Sequence, residues 1–193
     1  MYKRQLLSNT TFEGARLDEV AAVRVDLRAS NLHQANLVRS SLRHADIRGA
    51  RITGADLRYS NMTAARLLSA DLSASQLGGA DLTTADLRGA DLTGADLRAA
   101  ILEGANLSEA KLESTNLANL DLRGATFVGS FLGSAILEGT NLRGVDLTRV
   151  QWPGAKLIGA DLTGADLRGV SLSFLNSHDI DLRKLRLNEV DSV

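Results

Sequence analysis

GADLTTADLRGADLTGADL, residues Gly79–Leu97, is one five-residue phrase, A-D-L-x-x, repeated without a slip. With positions numbered i−2 to i+2 around the central Leu, the centres here are Leu82, Leu87, Leu92 and Leu97. The phase holds outward in both directions, from Phe12 to Leu187, and gives 36 centres of which 28 are Leu. The others are Phe12, Ala22, Ile47, Ile52, Met62, Phe127, Trp152 and Ser177. A fixed period of this kind marks a stacked-repeat architecture and takes precedence over local propensity.

A period of five fits neither the helical period of 3.6 nor the strand period of 2. Each unit must therefore turn once, so that successive central residues face one interior. Ala, Ser or Thr fills i−2 in 27 of the units, and i−2 shares a face with i on a short extended segment. Fifteen of the 17 glycines stand at i+2, which suits the positive φ at the third position of a type II turn. Asp or Asn fills i−1 in 20 units, where a short polar side chain accepts hydrogen bonds from nearby backbone at a corner.

From Thr10 to about Glu189 these residues resemble the pentapeptide-repeat family, whose motif is A(D/N)LXX. The resemblance implies an all-β fold, a right-handed quadrilateral parallel β-helix with four repeats per coil. On that reading 36 repeats make about nine coils in a single domain over residues 1–193. Regular repeats fill 10–189, residues 1–9 form an N-terminal cap and 190–193 a C-terminal tail. At ~4.8 Å per coil the rod is ~43 Å long. Function needs an argument of its own, because a fold does not carry one.

An apolar content of 44% with only 4% aromatics fits a narrow interior of Leu and Ala. A net charge of −1 points to neither a nucleic-acid binder nor a strongly acidic protein. With no cysteine there is no disulfide and no thiolate chemistry. The opening MYKRQLLSNTTF has basic residues but no apolar run of signal-peptide length. No stretch approaches the length of a membrane span. A cytoplasmic protein without membrane contact is expected.

The phase has irregular members. Val20 with Ala22, and Leu175 with Ser177, exchange the large and small inward residues. Leu120 at i−2 puts Leu at both inward positions of its unit, and is expected to widen the coil just below. Trp152 replaces a central Leu, and Pro153 after it is expected to remove one N–H from the ladder. Ile101, Phe131 and Ile136 stand outward at i−1, where Asp or Asn is usual. Repacking around oversized residues is the commoner cause of such substitutions. The functional reading makes Val128, Phe131 and Ile136 a partner-binding patch, joined to the Arg-poor side that carries Asp71, Asp91 and Glu113.

Toward the C-terminus the inward i−2 residue becomes Val170, Leu175, Ile180, Leu185 and Val190. An uncapped coil exposes apolar interior and an unpaired strand edge. The candidate dimer surface is therefore Ile180, Leu182, Leu185, Leu187 and Val190. The alternative is that the last six residues fold across that end. In the gyrase-binding members of the resembled family, dimerisation through the C-terminal end is typical, so the resemblance implies a homodimer.

A search for chemistry finds none. His33, His44 and His178 are isolated and outward. GADLTGADLRG matches neither G-x-G-x-x-G nor the phosphate-loop spacing. Arg28, Arg48, Arg88 and Arg168 recur with Asp26, Asp46, Asp86 and Asp166 as surface ion pairs. No catalytic, cofactor or metal residues are expected, and no enzyme.

Two function classes follow. One is a non-catalytic protein-interaction solenoid. The other comes from the resemblance: some family members imitate duplex DNA, bind DNA gyrase or topoisomerase IV, and confer resistance to quinolones or natural gyrase poisons. Neither reading involves direct nucleic-acid contact. Grouping every fourth repeat gives four sides with charges of −2, −1, +1 and 0. Duplex DNA of the same length carries on the order of 25 negative charges. Contact with gyrase would then run through Asp71, Asp91 and Glu113 with Phe131 and Ile136.

Overall fold

The computed structural model describes residues 6–171. The repeat centred on Leu92 shows why the phrase has its form. The Ala90 N–H donates to the Leu87 carbonyl at 3.0 Å and closes a turn. The Asp91 N–H reaches back to the Ala70 carbonyl at 2.9 Å. The N–H groups of Leu92 and Gly94 reach forward to the carbonyls of Lys111 and Glu113, at 2.7 and 2.8 Å. Only the Thr93 N–H lacks a backbone acceptor, and Asp91 Oδ1 takes it at 3.0 Å. The acidic or amide residue at i−1 therefore supplies the one acceptor the ladder lacks. The same bond recurs from Arg28 to Asp26, Val38 to Asn36, Arg98 to Asp96 and Thr163 to Asp161.

Parallel bridges join residues 20 apart, from Leu6 with Asp26 to Asp146 with Asp166. Twenty residues are four repeats, so the coil has four sides, one per repeat. We number the sides by their earliest expected centres: first Phe12, second Leu17, third Ala22, fourth Leu27. A little over eight coils fall within residues 6–171, and the remainder of the expected nine lies outside the described residues. Central Leu side chains and their small i−2 companions form one continuous core, with Phe127 and Trp152 each only 1% exposed. The Trp152 indole N–H donates to the Ser171 carbonyl at 3.2 Å. Among the described residues no helix is long and apolar enough to cross a membrane.

All fifteen glycines at i+2 have φ between 61° and 79°. With a negative φ at i+1, that is the sign pattern of a type II turn. The left-handed conformation is not confined to glycine, however. Eighteen other residues adopt it, among them Tyr59 (φ 59°), Thr84 (φ 54°) and Arg149 (φ 58°). An L-residue gives up roughly 1–2 kcal/mol there. The ladders on both flanks impose the turn on whatever residue the register delivers.

Two expectations are corrected. Pro153 removes nothing from the ladder, because the i+1 N–H never belongs to it; the Pro153 carbonyl still accepts the Ser134 N–H at 2.8 Å. Residues 6–9 of the expected cap continue the coil instead, and its residues 1–5 lie outside the described residues. Leu6 bridges Asp26, Leu7 packs against the core and Asn9 takes the corner φ of 57°. Among the described residues the coil thus extends one repeat before Thr10, to a Leu6 that is 72% exposed.

One rung is open. On the third side the ladder joins Asp81 to Ile101 and Asp121 to Asn141, but Ile101 and Asp121 are not bridged. The bonds that the pattern requires from Leu102 N–H to Asp121, and from Asp121 N–H to Ala100, are missing. Those from Ala99 to Ala118 and from Gly104 to Arg123 are missing as well. The break lies where the sequence places Leu120 above Ala100.

Candidate protein-interaction surface

On the first side the i−1 residues Arg51, Asp71, Asp91, Lys111, Phe131 and Gln151 stack as successive rungs of one ladder. Asp71 Oδ1 accepts the Ser73 N–H at 3.0 Å and its hydroxyl at 2.6 Å, and Oδ2 accepts the Thr53 hydroxyl at 3.2 Å. Asp91 bonds Thr93 and also receives the Lys111 ammonium at 3.3 Å. Partial burial pushes the Asp91 carboxyl up, but the bonds from Thr93 and Lys111 outweigh it and leave the carboxyl below its ordinary range. Glu113 is exposed beside this column, two residues past Lys111.

Phe131 does not project from the rod. Its ring lies over Gly133, where a Cβ would stand 2.8 Å from Cε1, and the ring is half-buried while Gly133 is buried. Glycine at that i+1 position makes room for the aromatic. Val128 and Ile136 are also half-buried, on the fourth and second sides. Val128, Phe131 and Ile136 thus follow one another around two corners, on adjacent sides. Asp71, Asp91, Glu113 and Phe131 are brought together on one side. The candidate dimer residues Ile180, Leu182, Leu185, Leu187 and Val190, and the tail 190–193, lie outside the described residues.

Among the described residues, the large apolar side chains that do stand out are Leu6, Val23, Tyr59, Ile101 and Ile158. Tyr59 escapes a reading in fives. Counting in twenties sets it against Gly79, over which its ring lies, with a hypothetical Gly79 Cβ 2.6 Å from Tyr59 Cδ1.

The fourth side bears the expected Asp–Arg rungs, and the pairing is denser than the sequence indicates. Asp46 is buried and meets Arg48 at 2.7 Å, Arg66 at 3.3 Å and Arg28 at 4.0 Å. The Arg48 hydrogen bond, more than its charge, holds the Asp46 carboxyl below the usual range. Asp56 with Arg58 and Asp96 with Arg98 repeat the motif on the second side, as does Asp121 with Arg123 on the third. The arginine bond lowers the carboxyl in each of these three pairs as well. Many of the outward carboxylates thus carry their own counter-charge. His33 Nδ1 lies 2.9 Å from the Thr53 carbonyl, which makes it a donor. Among the described residues no group of three or more His, Asp or Glu is placed to hold a metal ion.

The family description "pentapeptide repeats" matches in eight copies, between residues 23 and 173. The chain is similar in fold to a trypsin-treated variant of QnrB1, a plasmid-mediated fluoroquinolone resistance protein. The TM-score is 0.86 at 18% identity, over 94% of this chain and 90% of that one. A second trypsin-treated QnrB1 variant gives 0.62 at 20% identity, over 96% and 92%. HetL of the cyanobacterium Nostoc sp. strain PCC 7120, a protein involved in heterocyst differentiation regulation, is 32% identical over 84% of this chain and 80% of that one, with a TM-score of 0.43. No curated protein matches the chain. The expected right-handed quadrilateral β-helix is the fold of the chain.

Proposed function

The chain belongs to the pentapeptide-repeat family, and from that premise we propose that it is a non-catalytic rod that holds a protein partner along its first side. The observation that carries this reading is the fixed column Asp71–Asp91–Lys111–Phe131, set on an unbroken ladder. Its polar groups are already oriented by Ser73, Thr53 and Thr93, and its aromatic ring is already seated on Gly133. A partner docking there orders few side chains on this chain, which removes part of the usual entropic cost of association. The ring supplies one apolar anchor within a polar surround. Capture from a native lysate by the full chain, compared with an Asp71→Arg/Asp91→Arg/Phe131→Ala variant, tests the reading. A partner held by the wild type and released by the variant supports it; a partner held equally by both refutes the choice of side.

A narrower reading has one observation in its favour: the fold likeness to a fluoroquinolone resistance protein extends over 94% of this chain. On it, the partner in the cytoplasm is DNA gyrase or topoisomerase IV. The Arg-paired carboxylates weigh against imitation of duplex charge, so steering would be weak and binding would change little between low and moderate salt. A supercoiling assay with purified gyrase and a quinolone decides. Neither inhibition nor protection, at protein well above enzyme concentration, removes gyrase and leaves the general interaction rod.

A further inference from the structure

We propose that the open rung between Ala100 and Leu120 is a hinge, built by one oversized inward residue, at which two stacks of coils move relative to each other. Above Val20, which the small centre Ala22 offsets, the inward i−2 residues of the third side run from Ser40 to Ala160 as Ser, Ser, Ala, Ala, Leu, Thr and Ala. Leu120 alone brings a four-carbon side chain into a column sized for Ala, Ser and Thr. It is buried, at 4% exposure, and lies over Ala100, which at 7% is the most exposed of the buried apolar residues. A close-packed interior accommodates excess volume by backbone displacement. Here the displacement appears as the four missing bonds, whose donors are Ala99, Leu102, Gly104 and Asp121.

The opening is one-sided. At the same level Asp91 still bridges Lys111 on the first side, Asp96 bridges Asn116 on the second, and Asn106 bridges Thr126 on the fourth. Bridges on three sides bind the stacks together, although the second side has lost the Ala99 bond at its corner, and the first side, opposite the gap, is the pivot. The position magnifies the effect, because the rung lies near the middle of the described coils. Outside, the gap is a cleft of about 470 Å³ lined by Ile101, Glu103, Asp121 and Arg123. Ile101 is half exposed there, while Arg123 stays paired with Asp121 at 2.6 Å. One coil below, the equivalent N–H groups of Gly79, Leu82, Thr84 and Ile101 are all bonded; one coil above, Gly124 still lacks its bond to Arg143. Small rotations about the first side then change the gap most and stretch the second and fourth ladders less.

Two measurements on the full-length chain test the hinge. In amide hydrogen exchange, Leu102, Gly104 and Asp121 should exchange at least ~10-fold faster than Leu82, Thr84 and Ile101, their bonded equivalents one coil below. Leu120→Ala should slow the three to the rate of their neighbours. The chain has no native cysteine, so Arg43→Cys and Thr163→Cys place spin labels on the third side, six coils apart and ~29 Å along the axis. Their distance distribution should be broad in the wild-type background and narrow when Leu120→Ala is added. Wild-type amides at 102, 104 and 121 as slow as those at 82, 84 and 101 would overturn the hinge without any core variant. A distribution unchanged by Leu120→Ala would remove Leu120 as its cause.

Discussion

Gly79→Ala and Gly94→Ala introduce the same methyl group at the same backbone angle, φ +68°, on different surroundings. At Gly94 nothing lies within 4 Å of the new Cβ. The change there costs only the left-handed conformation, about 1–2 kcal/mol. At Gly79 the new Cβ would fall 2.6 and 2.7 Å from Tyr59 Cδ1 and Cε1, so the ring must leave its seat. Tyr59 is 63% exposed, so it buries about a third of its surface. Part of that is apolar, and at ~25 cal/mol per Å² its loss adds on the order of 1 kcal/mol. Gly79→Ala should therefore destabilise by about 2–3 kcal/mol. In a Tyr59→Ala background its cost should fall to that of Gly94→Ala, a coupling of ~1 kcal/mol. Equilibrium urea unfolding followed by circular dichroism measures all four variants against the wild type. If Gly79→Ala and Gly94→Ala lose equal stability while Tyr59 is present, the ring is not seated on Gly79 and the contact across coils is refuted.

Two further outcomes are expected. The Oγ atoms of Ser60 and Ser75 are both buried, but Ser75 donates to the Leu72 carbonyl at 2.6 Å while Ser60 has no partner. Ser60→Ala should therefore be neutral or stabilising by up to ~1 kcal/mol and Ser75→Ala destabilising by about as much, read from denaturant midpoints. Asp46 has a folded-state pKa below its ordinary 3.8, so its contribution is complete above that value and is lost as pH falls through the depressed one. Asp46→Asn should lower stability at neutral pH, and the gap to wild type should shrink in unfolding curves taken at progressively more acid pH; a gap constant down to strongly acid pH would contradict the pairing.

Most of this fold is legible because the core repeats in fives and glycine marks the corners. What escapes that reading repeats in twenties. The contact of Tyr59 with Gly79, and of Arg66 with Asp46, joins residues that look unrelated until the chain is wound four repeats to the coil. The left-handed φ at Thr84 and Arg149 escapes for another reason: local propensity opposes it, and only the flanking ladders impose it. Leu6–Asn9 escape because Gln5, at the i−2 place of their phrase in the sequence, is neither small nor apolar. Leu120 is the opposite case. Its excess volume is plain in the sequence, and the open rung is where that volume predicts it. The partner surface is only half legible. Its acidic column follows from counting, but Phe131 lying down on Gly133 depends on a side-chain rotamer that no periodicity fixes.

The two periods also constrain how such a chain can change length over time. Losing one five-residue phrase would leave the interior intact, since each remaining centre still points inward. Every later repeat, however, would rotate a quarter turn around the axis. A phrase lost between Asp91 and Lys111 would take Lys111 off Asp91, one lost between Asp46 and Arg66 would part that pair, and one lost between Tyr59 and Gly79 would unseat the ring. Gaining or losing twenty residues away from these pairs restores every face to its place. The interior therefore accepts steps of one phrase, whereas any face under selection accepts only whole coils. Duplication within a rod like this one can lengthen it freely along its axis while leaving what it displays to a partner in register.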